Sequence, residues 1–343
     1  MTFSKALDKA LFWVKCARYQ SYAQSFLPAI LAFAVVAGKD EYELTCLDFV
    51  LGGLAVLGVI LAHSGVNLLD DYFDYTSHSV QKRKEMVDGG MRARSLKCAY
   101  LDAGMTTPKQ LLCVAILFCL IATACGTVIY LCRGIPILVC FTVGAFLAFF
   151  YSAPPIRLSY HYLGELVVGA LFGPVLMSGV SYSLCGQLDS SVVFLSIPMG
   201  ILVANILYVH SILDLEADKR AGKFTFAALW GNQRRAVAFC GLLLATCYLS
   251  VIAGVILKAL SPVSLLVMVT VPVALELFLS MKLYLRDPDK PVERKRWHGP
   301  MECWDRICKA GISWFMFRWY LSRNLLTMFA ICLLTSIIIS YFA

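Results

Sequence analysis

Long apolar stretches recur along the chain and are separated by shorter polar segments. A helix needs about 20 mostly apolar residues to cross a lipid bilayer. The pattern therefore predicts an all-α, polytopic membrane protein, a single domain over residues 1–343 in which nine transmembrane helices form a bundle around a central cavity. The nine predicted helices are 24–38, 47–69, 111–131, 134–151, 163–184, 192–213, 236–257, 262–283 and 324–342.

The composition excludes several other classes of protein. Apolar residues make up 59% of the 343 residues and charged residues only 15%, whereas a soluble domain carries about 25% charged residues. Disordered chains and nucleic-acid-binding arms are polar, so a water-soluble globule is excluded and no nucleic-acid partner is expected. Seven of the 14 cysteines lie within the predicted helices, and they are interpreted as small buried hydrophobic residues because no zinc-like spacing is present.

The basic residues predict the orientation of the helices. Of the 30 Lys and Arg residues, 27 fall in the N-terminal segment, in the loops after the second, fourth, sixth and eighth predicted helices or, for Lys282, at the end of the eighth helix itself. Cytoplasmic loops are enriched in Lys and Arg, so the N-terminus is predicted to be cytoplasmic and the C-terminus to lie outside. The absence of a signal or transit peptide favours the bacterial inner membrane.

Three segments outside the predicted spans are assigned to the membrane surface or the cytoplasm. Residues 1–22 are predicted to form an amphipathic helix at the interface, and residues 75–110 and 285–322 are predicted to be cytoplasmic loops. The second loop is rich in basic residues and tryptophan, a composition typical of the lipid headgroup zone; a binding surface for another protein is the alternative. Its four tryptophans are Trp297, Trp304, Trp314 and Trp319.

An acidic cluster stands where the second predicted helix reaches the cytoplasmic side. The sequence there is Asn67-Leu-Leu-Asp70-Asp71-Tyr-Phe-Asp74. Because successive helical residues are rotated by about 100°, Asn67, Asp71 and Asp74 share one face, with Asp70 at its edge. Charged side chains that face lipid cost about 3 kcal/mol each, so the carboxylates are predicted to face a cavity inside the bundle.

A second cluster ends the sixth predicted helix, where Asp214 and Asp218 lie one turn apart on a shared face. Carboxylates that share a cavity repel one another unless cations hold them. Oxygen ligands select hard ions, and Mg²⁺ is the usual ion when phosphate oxygens complete its shell. The two clusters therefore predict Mg²⁺ and a diphosphate, with solvated helix ends as the alternative. Basic residues that could pair with the diphosphate are Lys82, Arg83, Arg92, Arg94, Lys219, Arg220 and Lys223.

These paired acidic motifs resemble those of the UbiA superfamily of intramembrane prenyltransferases. The resemblance covers most of the chain as one UbiA-like domain. The motifs are most similar to those of the MenA branch, which prenylates 1,4-dihydroxy-2-naphthoate. Three further segments look like family segments: Asp88-Gly-Gly-Met-Arg92, Tyr151-Ser-Ala-Pro-Pro-Ile-Arg157-Leu and Gly164-Glu165.

The resemblance implies transfer of a polyprenyl group from an allylic polyprenyl diphosphate to an aromatic acceptor, as in menaquinone biosynthesis. It implies two Mg²⁺ ions that bridge the diphosphate, one held by Asn67, Asp71 and Asp74 and the other by Asp214 and Asp218. The residues expected to be catalytic are Asp71, Asp74, Asp214, Asp218 and Tyr151. The residues expected to bind the substrates are Asn67, Asp70, Arg92, Arg157, Lys219 and Lys223.

Three other polar residues near the motifs have open roles. His63 and His210 each lie one turn before a motif and are candidates for a general base, but a hydrogen-bonded core histidine is the favoured interpretation. Glu165 is expected to cap a helix or to pair with a neighbour.

Other acceptors and one other class of protein stay open. The extra carboxylate of Asp70, and Leu213 where the family often has arginine, keep 4-hydroxybenzoate, homogentisate and a glycerol-phosphate lipid as alternative acceptors. A cation-coupled carrier is the alternative from another class. Carriers place their acidic residues near the bilayer midplane between related halves, whereas here the acids lie at helix ends beside basic loops.

Overall fold

The computed structural model describes residues 3–94 and 97–342, and these residues form an all-helical fold. Within them, strand-like pairing is limited to an isolated bridge between His161 and Phe224. The predicted helical fold class is therefore confirmed. The helices are α1 (Phe3–Cys16), α2 (Ala23–Ala37), α3 (Cys46–Thr76), α4 (Ser79–Asp88), α5 (Ala99–Asp102), α6 (Pro108–Arg133), α7 (Ile135–Phe150), α8 (Gly164–Ala170), α9 (Leu176–Cys185), α10 (Ser190–Leu213), α11 (Leu215–Arg220), α12 (Gln233–Ile256), α13 (Val271–Arg286), α14 (Trp304–Lys309) and α15 (Ser313–Phe342).

Eight helical stretches in the described part of the chain are long and apolar enough to cross a membrane. The chain is thus an integral membrane protein, as predicted. The predicted helix 134–151 corresponds to α7, which is apolar but only 16 residues long. The count of nine spans consequently stays a prediction. The eight stretches are Tyr19–Ala37, Cys46–Thr76, Pro108–Arg133, Gly164–Cys185, Ser190–Leu213, Gln233–Ile256, Pro262–Arg286 and Ser313–Phe342.

Side-chain caps fix where several of the long helices begin. Thr45 before α3 and Thr107 before α6 each form a capping box with the residue three positions later. Asp189 accepts a hydrogen bond of 3.0 Å from the Val192 N–H at the start of α10, and Asn232 caps α12 in the same way. These side chains satisfy N–H groups that have no partner within the helix.

The last helix begins earlier than its apolar pattern indicated. Residues 313–322 were predicted as part of a cytoplasmic loop, but α15 starts at Ser313, so that boundary is wrong. The polar residues of its first turns face protein: Arg318 is buried and donates 3.0 Å and 2.8 Å hydrogen bonds to the Ser280 carbonyl oxygen. Trp314 and Trp319 are buried as well. A hydropathy pattern assigns such residues to a loop, although their hydrogen-bond donors find partners inside the bundle.

The predicted N-terminal helix is present as α1. Its Trp13 and Cys16 belong to a small buried cluster with Leu68 of α3 and Leu111 of α6. The helix therefore covers the ends of α3 and α6 that lie beside the first acidic motif. Its position at the lipid interface stays a prediction.

Small residues allow α10 to approach the kinked helix formed by α8, α9 and the π-helical segment Leu171–Val175 between them. Pro174 lies in that segment and has no N–H to donate. A Cβ atom added at Gly173 would lie 2.5 Å from the Ser196 carbonyl oxygen and 2.8 Å from Gly200 Cα. Real Cβ atoms do not approach backbone this closely, so glycine is required at the crossing.

We expect Gly173→Ala to destabilise the protein by about 1–3 kcal/mol, because the added methyl group must push α10 away. Gly53→Ala is the matched control, since a Cβ there meets nothing within 4 Å, and it should leave stability unchanged or raise it slightly. Thermal unfolding of both purified variants in one detergent checks this. Equal melting temperatures would contradict the close helix crossing.

Candidate active site

The cytoplasmic end of α3 carries the first acidic cluster. Asp71 and Asp74 are only 2% and 6% exposed. Asn67, one turn before Asp71, donates from Nδ2 to the Ala17 carbonyl oxygen at 3.0 Å and to Ser21 Oγ at 3.2 Å. The predicted face is therefore turned towards protein, against the segment that joins α1 to α2.

Two cations from different parts of the chain pair with the carboxylates of this cluster. Arg18 Nη2 lies 3.1 Å from an oxygen of Asp70 and also pairs with Asp71. Lys97 Nζ lies 2.8 Å from Asp70 and also pairs with Asp74. Burial opposes the charged form of both cations, but the neighbouring carboxylates outweigh it and hold the pKa of Arg18 and of Lys97 above their usual values.

Three hydroxyl groups complete the first cluster. Tyr100 donates to Asp71 Oδ2 at 2.8 Å, Tyr160 donates to Asp74 Oδ1 at 2.8 Å, and Ser152 donates to Asp70. Burial, reinforced by the charge of Asp74, raises the pKa of Tyr160 to about 12. The phenol therefore stays protonated near neutral pH and acts as a donor to the carboxylate.

The second cluster forms where α10 ends and α11 begins. Arg83, from α4, places Nη1 2.9 Å from Asp214 Oδ2 and also pairs with Asp218. The backbone N–H of Arg94 donates to Asp214 Oδ1 at 3.3 Å. Burial raises the pKa of Asp214, and it raises that of Asp218 to about 6, although Arg83 acts in the opposite direction on both.

The two clusters converge through the segment that follows α3. Arg94 lies between the clusters: its backbone N–H donates to Asp214 Oδ1 of the second, and the residue lines the same end of a cavity as Asp70 of the first. The charge of Asp74 likewise acts on Arg83, which is paired with the second cluster. The helix ends that carry the two motifs thus share one electrostatic environment.

A cavity of about 650 Å³ opens at this meeting point. Its polar end is lined by Arg18, Asn67, Asp70 and Arg94, and it extends between α3, α6, α7 and α9 along apolar walls. Several wall positions are small residues, which leaves room for a ligand between the helices. These are Ala55, Gly58, Ala122, Gly126, Gly144, Ala145, Ala148 and Gly179.

Some predicted substrate-binding residues lie at the clusters and others do not. Tyr151 lines the cavity. The Arg157 guanidinium carbon lies 3.9 Å from the ring centroid of Tyr160, and Lys223 Nζ lies 5.6 Å from the same centroid. Tyr160, whose hydroxyl binds Asp74, brings both cations to the first cluster.

Arg92 and Lys219 were expected to bind substrate, but the structure places both elsewhere. The Arg92 guanidinium carbon stacks 4.5 Å from the Trp314 ring centroid, and its Nη1 lies 2.7 Å from an oxygen of Asp289. Lys219 Nζ lies 3.6 Å from Glu216 on the surface of α11. Neither side chain forms an ion pair with the aspartates of the two clusters within the described parts of the chain.

The histidines beside the motifs differ from each other. His63 Nδ1 lies 2.8 Å from Ser25 Oγ, and its ring packs edge-on against Phe172, which matches the favoured interpretation of a hydrogen-bonded core histidine. His210 lines the cavity, packs against Phe315, and has an Nε2 atom without a hydrogen-bond partner among the described residues.

Glu165 Oε2 accepts a hydrogen bond of 3.0 Å from the Phe226 N–H.

Sequence reasoning missed most of the side chains that hold the first cluster. Arg18 precedes the first span, and Lys97 and Tyr100 lie in a polar segment without a recognised motif. Lys97 lies before α5 and Tyr100 lies within it, so they do not share a helix face and no local pattern indicated their contacts with α3. Tyr160 and Ser152 lie in the segment that follows α7, where sequence alone singled out Tyr151 and Arg157.

The donor set of the clusters fits Mg²⁺. Among the described residues, no group of three His, Cys, Asp or Glu side chains is arranged to hold a metal ion; the carboxylates are paired with Arg and Lys. Mg²⁺ is usually bound by one or two carboxylates together with substrate phosphate oxygens. Each cluster supplies oxygen donors of that kind and number, so the ligands suit this ion when a diphosphate accompanies it.

A helical membrane bundle whose buried carboxylate clusters lie beside the polar end of an apolar cavity is suited to an intramembrane transferase. The sequence matches the profile of the UbiA prenyltransferase family over residues 25–304. The chain therefore belongs to the UbiA prenyltransferase family. Both the predicted family and the predicted enzyme class, prenyltransferase, are confirmed.

Relatives support the same family, and a solved structure has the same fold. The 1,4-dihydroxy-2-naphthoate octaprenyltransferase of Bacillus subtilis is 27% identical over 262 residues, which cover 74% of this chain and 77% of that protein. UbiA prenyltransferase domain-containing protein 1 of Dictyostelium discoideum is 26% identical over 221 residues, 63% of each chain, so less than two thirds of that relative is spanned. A UbiA homolog from Archaeoglobus fulgidus bound to GPP and Mg²⁺ has the same fold, with a TM-score of 0.57, 13% identity, and 94% and 99% of the chains covered.

We expect Arg83→Gln to destabilise the protein by about 3 kcal/mol at pH 8, because it leaves Asp214 and Asp218 buried without their cation. The folded-state pKa of Asp218, about 6, lies above the ordinary value of 3.8. Ionisation of Asp218 therefore lowers the stability of the folded protein as the pH rises from about 4 to above 6. The variant should lose less stability, relative to the wild type, at pH 5 than at pH 8.

Thermal unfolding at the two pH values, without added metal, measures this difference. Lys84→Gln is the control, since Lys84 is 57% exposed and its nearest carboxylate oxygen, of Asp102, is 4.0 Å away. An equal loss of stability in Arg83→Gln and in Lys84→Gln would contradict the buried ion pair. So would a loss of stability in Arg83→Gln that does not depend on pH.

Proposed function

We propose that the protein transfers a polyprenyl group from an allylic diphosphate to an aromatic acceptor, namely 1,4-dihydroxy-2-naphthoate in menaquinone biosynthesis. The observation that carries the proposal is that two buried aspartate clusters lie beside the polar end of an apolar cavity: Asp70 of the first cluster lines that end, and Arg94, which also lines it, donates its backbone N–H to Asp214 of the second. The relative from B. subtilis, whose name gives this acceptor, supports the choice. The A. fulgidus homolog with GPP and Mg²⁺ supports an allylic diphosphate and this metal.

In this proposal Asn67, Asp71 and Asp74 would hold one Mg²⁺ ion, and Asp214 and Asp218 would hold the second. Bound there, Mg²⁺ would supply positive charge to the diphosphate oxygens. Nearby cations supply charge-assisted hydrogen bonds to the phosphate oxygens, which stabilises the same developing charge. The cations at the clusters are Arg18, Arg83, Lys97, Arg157 and Lys223.

The cavity provides the environment that an allylic cation needs. The C–O bond of the allylic diphosphate breaks, the electron pair leaves with the diphosphate, and a ring carbon of the acceptor then bonds to the allylic carbon and loses its proton. Water must be kept from the carbocation, and the apolar walls around Phe141 and Phe172 exclude it. The aromatic faces of Tyr151 and Trp319, which also line the cavity, are suited to stabilise the positive charge.

Product formation tests the reaction. We expect purified protein in lipid, supplied with Mg²⁺, geranylgeranyl diphosphate and 1,4-dihydroxy-2-naphthoate, to form prenylated naphthoate that mass spectrometry detects. Asp71→Asn or Asp214→Asn should lower kcat/KM at least about 100-fold, since each removes charge that holds the diphosphate complex. A chelator should abolish turnover.

Asp305→Asn serves as the control, because Asp305 is exposed and distant in sequence from both motifs. Full activity in either cluster variant, or turnover that a chelator leaves unchanged, would overturn the two-metal assignment. A panel with 4-hydroxybenzoate, homogentisate and a glycerol-phosphate lipid decides among acceptors: a product with one of these and none with the naphthoate would replace the acceptor and leave the reaction class intact.

We also propose that the acidic clusters face the cytoplasm, with the N-terminus inside and the C-terminus outside, as the distribution of basic residues indicates. Cys46 lies at the predicted outer end of α3, Cys303 lies before α14 on the opposite side, and both are exposed. A membrane-impermeant maleimide applied to intact cells should label Cys46, and Cys303 only after permeabilisation. Peptide mass spectrometry reads the result, and the reverse order would invert the topology. The bacterial inner membrane stays a prediction.

A further inference from the structure

Tyr160 occupies a position between the two acidic clusters. Its hydroxyl donates to Asp74 Oδ1 at 2.8 Å and lies 3.1 Å from Ser79 Oγ, while its carbonyl oxygen accepts a hydrogen bond of 3.2 Å from the Phe224 N–H. Phe224 follows the second acidic motif. Its carbonyl oxygen accepts a hydrogen bond of 2.6 Å from the N–H of Tyr162, two residues after Tyr160. One residue thus contacts the first cluster through its side chain and the loop after the second cluster through its backbone.

The ring of Tyr160 also holds two cations. The guanidinium carbon of Arg157 lies 3.9 Å from the ring centroid, and Lys223 Nζ lies 5.6 Å from it. A buried aromatic face attracts a cation through its quadrupole. The interaction places both side chains beside one ring, although their like charges repel each other.

These two cations differ from the others at the clusters. Arg18, Lys97 and Arg83 are engaged by carboxylates, whereas neither Arg157 nor Lys223 forms an ion pair within residues 7–94 and 97–342, the part whose side chains are described. Arg157 Nη2 donates to Ser77 Oγ at 3.2 Å, and its buried Nε has no hydrogen-bond partner there. The charge of Lys223 nevertheless reaches Asp218 of the second cluster.

Two fixed cations beside oxygen-rich metal-ligand clusters suit an anion with several phosphoryl oxygens. We propose that Tyr160 is a positioning residue for the diphosphate: its ring holds Arg157 and Lys223 for the phosphate oxygens, and its hydroxyl orients Asp74. This inference rests on the proposed function. The ring and the hydroxyl of Tyr160 have different roles in this proposal, and two substitutions can separate those roles.

Tyr160→Leu removes the ring and Tyr160→Phe removes only the hydroxyl. Without the ring, the KM for geranylgeranyl diphosphate should rise about tenfold while the KM for the acceptor stays within about twofold. Tyr160→Phe should keep the wild-type KM for the diphosphate but lower kcat about tenfold and raise the Mg²⁺ concentration required for half-maximal rate, because Asp74 is no longer oriented. A purely structural role would not split the two parameters in this way.

Tyr341→Leu is the control, since Tyr341 is 59% exposed near the end of α15 and is distant in sequence from both motifs. Its kinetic constants should match those of the wild type. Melting temperatures identify any variant that fails to fold, and Tyr160→Phe, which keeps the packing of the ring, preserves the test in that case.

Titration calorimetry of the full-length protein with inorganic pyrophosphate and Mg²⁺ provides a readout that needs no acceptor. Pyrophosphate should bind about tenfold more weakly to Tyr160→Leu than to the wild type or to Tyr160→Phe. Equal binding by all variants, or no binding by the wild type, would overturn the inference. If the wild type and the variants show the expected differences in pyrophosphate affinity but the wild type prenylates no acceptor, only the proposed function is refuted.

Discussion

The structure depends on the burial of aspartates at one end of a membrane bundle. A buried carboxylate is tolerated only when cations and hydrogen-bond donors surround it. The chain provides these groups from segments far apart in sequence: Arg18 before the first span, Arg83 and Lys97 after α3, and Tyr160 after α7. The polar segments on this side must therefore fold back over the helix ends, and that covering encloses the polar end of the cavity.

The features that could be predicted from sequence are those with a short-range physical cause. Hydrophobic stretches of spanning length give the helices, because the bilayer leaves the backbone few other ways to satisfy its hydrogen bonds. Helical rotation places Asp71 and Asp74 on one face, and both are buried in the structure. The pairing of two such motifs then indicated a shared cavity before any contact was known.

The features that could not be predicted depend on contacts between distant segments. Nothing local distinguishes Lys97, which binds two aspartates, from Arg92, which stacks on Trp314; both are basic residues of one polar segment. The start of α15 was misplaced for a related reason. Arg318 has the hydropathy of a loop residue, yet a carbonyl oxygen of a neighbouring helix satisfies it inside the bundle.

The contact between Arg18 and Asp70 crosses the boundary of the stretch that the family profile matches. The profile matches residues 25–304, so the arginine lies before that stretch, while its acidic partners lie within it. A lineage that replaced the arginine would leave the buried carboxylates of the first cluster with one cation fewer. The leading segment and the second span should accordingly be inherited as a unit, and an ancestral reconstruction confined to the recognised region would omit half of this pair.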